Sequence, residues 1–164
     1  MTVRPPRVVA FRAGGVACAA DPAHVERILS PGDLLPAPGA PPWIAGLVSG
    51  PRGLLAVVDV GRRLFPSREG SAPRFLLAGA FDGVAVALGA DEVEGILAVE
   101  GSLGPPPEGL APGVSACLSG AVLAGGERRL LLDVRRLASG EAEAAARATG
   151  QIASETTERR DHSS

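Results

Sequence analysis

Lysine and tyrosine are absent from the 164 residues, and histidine occurs only twice. The first absence removes the phosphate-binding loop, whose lysine reaches the β- and γ-phosphates. No Gly-rich stretch reads G-x-G-x-x-G after a strand, so the dinucleotide fingerprint is missing as well. His24 and His162 stand far apart, in no metal-ligand spacing. Gly113-Val114-Ser115-Ala116-Cys117 approaches a nucleophile elbow but lacks the closing glycine, and Ser115 reads as a loop residue. With these acids, bases and activators missing, the sequence reads as non-enzymatic, with no catalytic residue, cofactor or metal.

Aromatics are only 3% of the chain, with one Trp and four Phe. A core of Ala, Val and Leu packs strands closely and leaves little room for a large ligand pocket. The two cysteines, Cys18 and Cys117, each sit in an apolar run and read as buried reduced thiols, with a disulfide left open. A net charge of −2 supplies no positive field for nucleic acid. No apolar stretch reaches the ~18 residues that span a bilayer. Met1–Arg7 is polar and carries proline rather than a signal core. The expectation is a cytoplasmic protein that meets a membrane only indirectly.

What is present is a repeat. Gly15-Val16-Ala17-Cys18-Ala19 matches Gly83-Val84-Ala85-Val86-Ala87. At the same interval beyond each, Val25-Glu26-Arg27-Ile28-Leu29 matches Val93-Glu94-Gly95-Ile96-Leu97. Gly46-Leu47-Val48 likewise matches Gly120-Ala121-Val122, and Asp59-Val60 and Asp133-Val134 follow at equal spacing, each leading to Arg-Arg-Leu. Fixed spacing in the same order twice implies two related units. Each reads as mostly β. Arg7–Arg12 and Val16–Ala20 flank Gly14-Gly15, and Arg74–Phe81 and Val84–Leu88 flank Asp82-Gly83, turns that favour two-residue hairpins. Ile44–Val48 with Leu54–Asp59, and Leu118–Leu123 with Arg129–Asp133, supply the later strand pairs. Asp21-Pro22 opens a short helical or turn segment. The repeat places one unit at about residues 7–66 and the other at about 73–138, with Glu141–Ala148 helical and the rest of 139–164 a polar, disordered tail. Asp59 and Asp133, at equivalent positions, point to a repeated structural role such as capping the turn that follows. Arg52, in Gly50-Pro51-Arg52-Gly53, suits either a solvated hairpin tip or an interface arginine.

These motifs resemble the CheW family over about residues 7–138. The family's Val-x-Glu-Ile helix-turn motif corresponds to Val25-Glu26-Arg27-Ile28, its Pro-rich loop and Arg-Gly hairpin to Pro41 through Gly53, and its following strand to Leu54–Val60. Asp91-Glu92-Val93 and Leu130–Val134 match the second half. The resemblance implies two tandem SH3-like five-stranded β-barrels with short helical turns. It also implies an adaptor that binds the cytoplasmic tip of methyl-accepting chemoreceptors through an apolar groove between the barrels, and the regulatory domain of a CheA-type histidine kinase through barrel ends. Here the groove would be built from Val25, Ile28, Gly46, Val48, Val93 and Ile96, with Arg52 at its rim. Ordinary core is the competing role for the aliphatic members. The chain departs from the family at Arg27, where glutamate is usual, at Ser49-Gly50-Pro51, at Ala56 and at Ala87. Those departures favour a specialised partner, and as the alternative a partial adaptor that binds receptor but not kinase.

Overall fold

A computed structural model of the chain describes residues 6–32, 34–50, 53–65, 72–81, 84–133 and 136–137. Arg52 and the segment expected to form a C-terminal helix lie outside them. The described residues are mostly strand, as expected: β1 (Arg7–Ala13), β2 (Val16–Ala20), β3 (Arg27–Leu29), β4 (Ile44–Gly50), β5 (Gly53–Asp59), β6 (Phe75–Phe81), β7 (Val84–Ala90), β8 (Glu92–Gly104), β9 (Leu118–Ala124) and β10 (Glu127–Leu132). A 3-10 turn covers Pro22–His24, α1 covers Val60–Leu64, and α2 covers Pro112–Ser115, so Ser115 ends a helical turn rather than lying in a loop. Asp21 caps the 3-10 turn by accepting from the Ala23 amide at 2.9 Å, with Pro22 at its first position. Gly14-Gly15 and Gly125-Gly126 all carry positive φ, which the tight turns after β1 and β9 require.

The strands form two five-stranded sheets: a closed barrel, β1-β2-β10-β9-β8, and a sheet ordered β3-β6-β7-β5-β4. This corrects the unit boundaries expected from the repeat, because neither 7–66 nor 73–138 is one sheet. Each sheet takes its first hairpin from one repeat and its last three strands from the other. The connection at Asp91 is one cause. It is the only residue between β7 and β8, and a hairpin needs at least about two loop residues, so β8 runs on to pair with β1. Asp91 fixes this crossing: its amide donates to Arg12 O at 2.8 Å, and its carboxylate accepts from the Gly14 amide at 2.9 Å.

The expected helix-turn at Val25–Ile28 gives only its end to a strand, since Val25 closes the 3-10 turn and β3 begins at Arg27, while its repeat is strand throughout. Its second copy lies in β8, at 13 residues the longest strand described. Exposure alternates along Glu92–Glu100 with the period of a strand, and a bulge at Glu94 divides the half-buried residues, Val93 packing between the sheets and Leu97 and Val99 inside the barrel. β8 pairs β1 with its first half and β9 with its second, which closes the barrel. Its counterpart β3 has three residues, and Pro31 and Pro36 follow, each lacking the N–H a ladder needs. Among the described residues only a bridge between Leu35 and Leu47 continues toward β4, and the second sheet stays open.

Three apolar layers follow from the strand alternation. Val8, Ala19, Val122 and Ala124 pack inside the barrel. Leu55, Val57, Leu76, Ala78 and Ala87 line one face of the second sheet. Between the sheets, Phe11 and Cys18 of the barrel meet Val58, Leu77, Val86 and Leu88 in one shared core. Each large aliphatic or aromatic side chain buried there contributes about 1.5–3 kcal/mol. Sharing that layer couples the two sheets into one folding unit.

Candidate functional site

The residues expected to form a groove divide among three environments. Val25 and Val93, equivalent in the repeat, are half-buried and pack against the layer shared by the two sheets. Val25 ends the 3-10 turn, donating its amide to Pro22 O at 3.1 Å, and Val93 faces Phe11 across the β8–β1 ladder. Ile28 and Ile96, also equivalent, are 51% and 60% exposed. Ile28 sits opposite Leu77, and Ile96 opposite Val9. Directly opposed residues share a sheet face, and both Leu77 and Val9 belong to the shared layer. Each isoleucine therefore lies on the face that carries this core, beyond the part the other sheet covers.

Val48 and Gly46 do not join them. A bulge between Ile44 and Gly46 returns Leu47 to the shared layer and turns Val48 the opposite way, against Leu55 and its neighbours in the second sheet's own interior. Gly46 is buried and has no side chain to offer a partner. Arg52 lies outside the described residues. One arginine, Arg63, stacks on the Trp43 ring at 4.9 Å, a cation–π contact beside the shared core.

The structure adds a cluster that sequence reasoning missed. Arg129 is 1% exposed inside the barrel. Its Nε donates to Ala124 O at 3.0 Å, Nη1 donates to Cys18 O at 3.5 Å, and Nη2 donates to the Glu94 carboxylate. Arg12 reaches Glu94 at 3.4 Å and Glu127 at 2.7 Å. These four charges close one end of the barrel. The Arg129 hydrogen bond holds the Glu94 carboxyl below its ordinary range. The available signal for this cluster was a charged residue in the β10 run, where the repeat has Leu55.

Asp59 and Asp133 behave as their equivalence indicated. Asp59 accepts from the Arg62 amide at 3.2 Å and Asp133 from the Arg136 amide at 3.1 Å, each capping the turn after its strand. Burial pushes the Asp59 carboxyl up, but its oxygen is committed to the cap. Among the described residues, no group of three or more His, Cys, Asp or Glu could hold a metal ion, and no helix is long and apolar enough to cross a membrane. Cys18 and Cys117 are buried and not joined in a disulfide, and burial pushes the Cys18 thiol up to about 12.

Two cavities lie at sheet ends. One, of about 460 Å³, opens beside the barrel interior between Pro6, Val8, Val99, Leu103, Val122 and Leu131. The other, of about 290 Å³, opens in the second sheet between Glu26, Arg27, Leu55, Ala78, Ala80 and Ala85.

Residues 7–142 match the family model described as the CheW-like domain. Comparison with curated protein sequences finds no match. Among solved structures, the crystal structure of the scaffolding protein TtCheW from Thermoanaerobacter tengcongensis is similar, with 17% identity, a TM-score of 0.70, and 83% of this chain and 89% of that one covered. At that identity the likeness speaks for the fold: the paired SH3-like arrangement of two five-stranded units.

Proposed function

The chain belongs to the CheW-like domain family, a family of signalling scaffolds, and on that premise we propose that it is a non-enzymatic adaptor coupling chemoreceptor-type proteins to a CheA-type histidine kinase. The observation that carries the finer reading is the pair Ile28 and Ile96, two large apolar side chains exposed at repeat-equivalent positions beside the core that joins the sheets. Exposed aliphatic residues on a rigid β frame suit an amphipathic helix laid against them, and a receptor's cytoplasmic hairpin presents such helices. In this reading the protein is cytoplasmic and reaches the membrane only through receptors.

A second reading, a partial adaptor that binds receptor but not kinase, is favoured by Arg27. The family's usual glutamate is reversed in charge there, and the side chain is exposed on β3. Reversing a charge at a contact surface selects against the ordinary partner. Titrating the full chain in parallel with a receptor cytoplasmic hairpin and with a kinase regulatory domain separates the two. Binding to both supports the coupling adaptor, and binding to the hairpin alone supports the partial adaptor. If neither binds to folded protein, both readings fall.

A further inference from the structure

We propose that Leu103 is a gate on the apolar cavity at the barrel's end, open in this structure and closing into the place that Leu34 already holds in the second sheet. The two leucines belong to one repeated motif. Gly32-Asp33-Leu34-Leu35-Pro36 matches Gly101-Ser102-Leu103-Gly104-Pro105. Gly32 and Gly101 both carry positive φ, 53° and 75°. The residue after each leucine turns its carbonyl onto the equivalent glycine, Leu35 O against Gly46 and Gly104 O against Gly120. Around them the strand registers match as well. Val57 faces Ala87 as Leu131 faces Ala19, and Val48 faces Leu55 as Val122 faces Arg129.

The leucine side chains themselves differ. Leu34 is half-buried and packs against the layer that holds Val57 and Leu76, both fully buried. A Cβ on Gly46 would meet the Leu34 Cβ at 3.1 Å, so Leu34 crosses that glycine with the base of its side chain. A Cβ on Gly120 would instead meet Leu103 Cδ1 at 3.0 Å, so Leu103 rests its tip there. Leu103 is 54% exposed and borders the cavity of about 460 Å³ whose apolar wall is Val8, Val99, Val122 and Leu131. Val8 and Leu131 are the counterparts of Leu76 and Val57, and Leu131 is only half-buried. Arg7 and Asp21 are the charged lining, and Asp21 is committed to the 3-10 cap. The barrel thus holds an unfilled apolar space beside the very side chain whose twin packs inward. Its backbone leaves room for that motion. Gly101, Ser102 and Leu103 form a bulge opposite Val122 alone, between the pairs Glu100–Leu123 and Gly104–Ala121. Seating Leu103 takes its own apolar surface and that of the wall out of water together.

The test uses xenon, a small probe that enters apolar cavities, and the full chain carrying ¹³C-labelled methyl groups. A gated cavity takes the probe only in its open fraction, and its apparent affinity falls by that fraction. Leu103→Asp, at an exposed position, cannot seat its carboxylate in apolar space and so holds the gate open. Saturable xenon shifts at the methyls of Val8, Val99, Val122 and Leu131 are expected in the variant, with about tenfold weaker binding by the native chain. Aspartate offers xenon less apolar wall than leucine does, so a gain in affinity reports the loss of a competing side chain. Equal or weaker binding by the folded variant, or no saturable shift in it, overturns the proposal. Should Leu103→Asp fail to fold, Leu103→Ser decides by the same comparison. The outcome is independent of whether the chain binds a receptor hairpin or a kinase domain, which the titrations above decide.

Discussion

Gly46 and Gly120 occupy the same place in the two sheets and carry the same backbone angle, φ 151° and 152°. A Cβ on Gly46 would lie 2.6 Å from the Leu35 carbonyl oxygen, and one on Gly120 would overlap that of Gly104. Both sit beside a bulge where the first strand of the pair bends toward a neighbouring segment. Gly46 therefore serves backbone packing at a position also expected at a binding groove.

Alanine at either glycine combines strain at positive φ with a backbone clash. Gly46→Ala and Gly120→Ala should each cost about 3 kcal/mol. Gly113→Ala, whose Cβ would meet open space, should change stability by no more than about 0.5 kcal/mol. Denaturant midpoints check this, and equal effects at Gly46 and Gly113 would show that the close approach carries no weight.

The barrel's internal charges give a second prediction. Arg129→Leu removes the buried guanidinium with its charge-assisted bonds and leaves Glu94 to Arg12 alone, so it should cost about 2 kcal/mol at neutral pH. Glu94→Gln in the same background should recover part of that. Glu94 titrates below its ordinary 4.5 because Arg129 donates to it. Its contribution to stability is complete above the unfolded value and is lost as pH falls through the lower folded one. Acid unfolding of Arg129→Leu should consequently begin at higher pH than in the native chain. An unchanged acid midpoint by circular dichroism would reject the linkage.

The hairpin strands and both aspartate caps were legible because their signals are local: Gly-Gly turns, alternating apolar residues, and Asp before a helical turn. β3 was hidden by its length, three residues, and β8 by a motif read as helix-turn although Val93, Gly95, Leu97 and Val99 alternate with more exposed neighbours. The exchange of strands between sheets had no local signature, since Asp91 reveals its constraint only once β7 and β8 are known to flank it. For the candidate site, the repeat paired Val25 with Val93 and Ile28 with Ile96. It could not tell which pair faces solvent, because exposure depends on how far one sheet covers the other. Val48, expected there from the resemblance, faces the second sheet's interior because the bulge at Ile44–Gly46 sets Leu47 toward the shared layer.

Asp59 combines a cap with an unfavourable burial. Asp59→Ala should cost about 1 kcal/mol through loss of the bond from the Arg62 amide. Asp59→Asn keeps an acceptor and removes the buried charge. Desolvation raises this carboxyl above its ordinary 3.8, so the folded state holds its proton more tightly than the unfolded one. The favourable share is complete below 3.8 and is lost as pH rises through the folded value. Relative to wild type, Asp59→Asn should gain stability across that rise, read from thermal melts at a series of pH values. A constant difference would remove burial as the cause.

The two isoleucines and the two valines make opposite predictions from equivalent positions, which is what separates docking from packing. Ile28→Asp and Ile96→Asp alter side chains 51% and 60% exposed, and each should fold with stability within about 1 kcal/mol of wild type. Val25→Asp and Val93→Asp push a carboxylate toward the shared core and should destabilise the chain by about 2–3 kcal/mol. If the exposed pair forms a docking surface, the isoleucine variants should lose about tenfold or more in affinity for a receptor hairpin while melting normally. The valine variants would then lose binding only in proportion to lost fold. Wild-type affinity in both folded isoleucine variants would place the contact elsewhere on the molecule and leave Ile28 and Ile96 as ordinary exposed side chains.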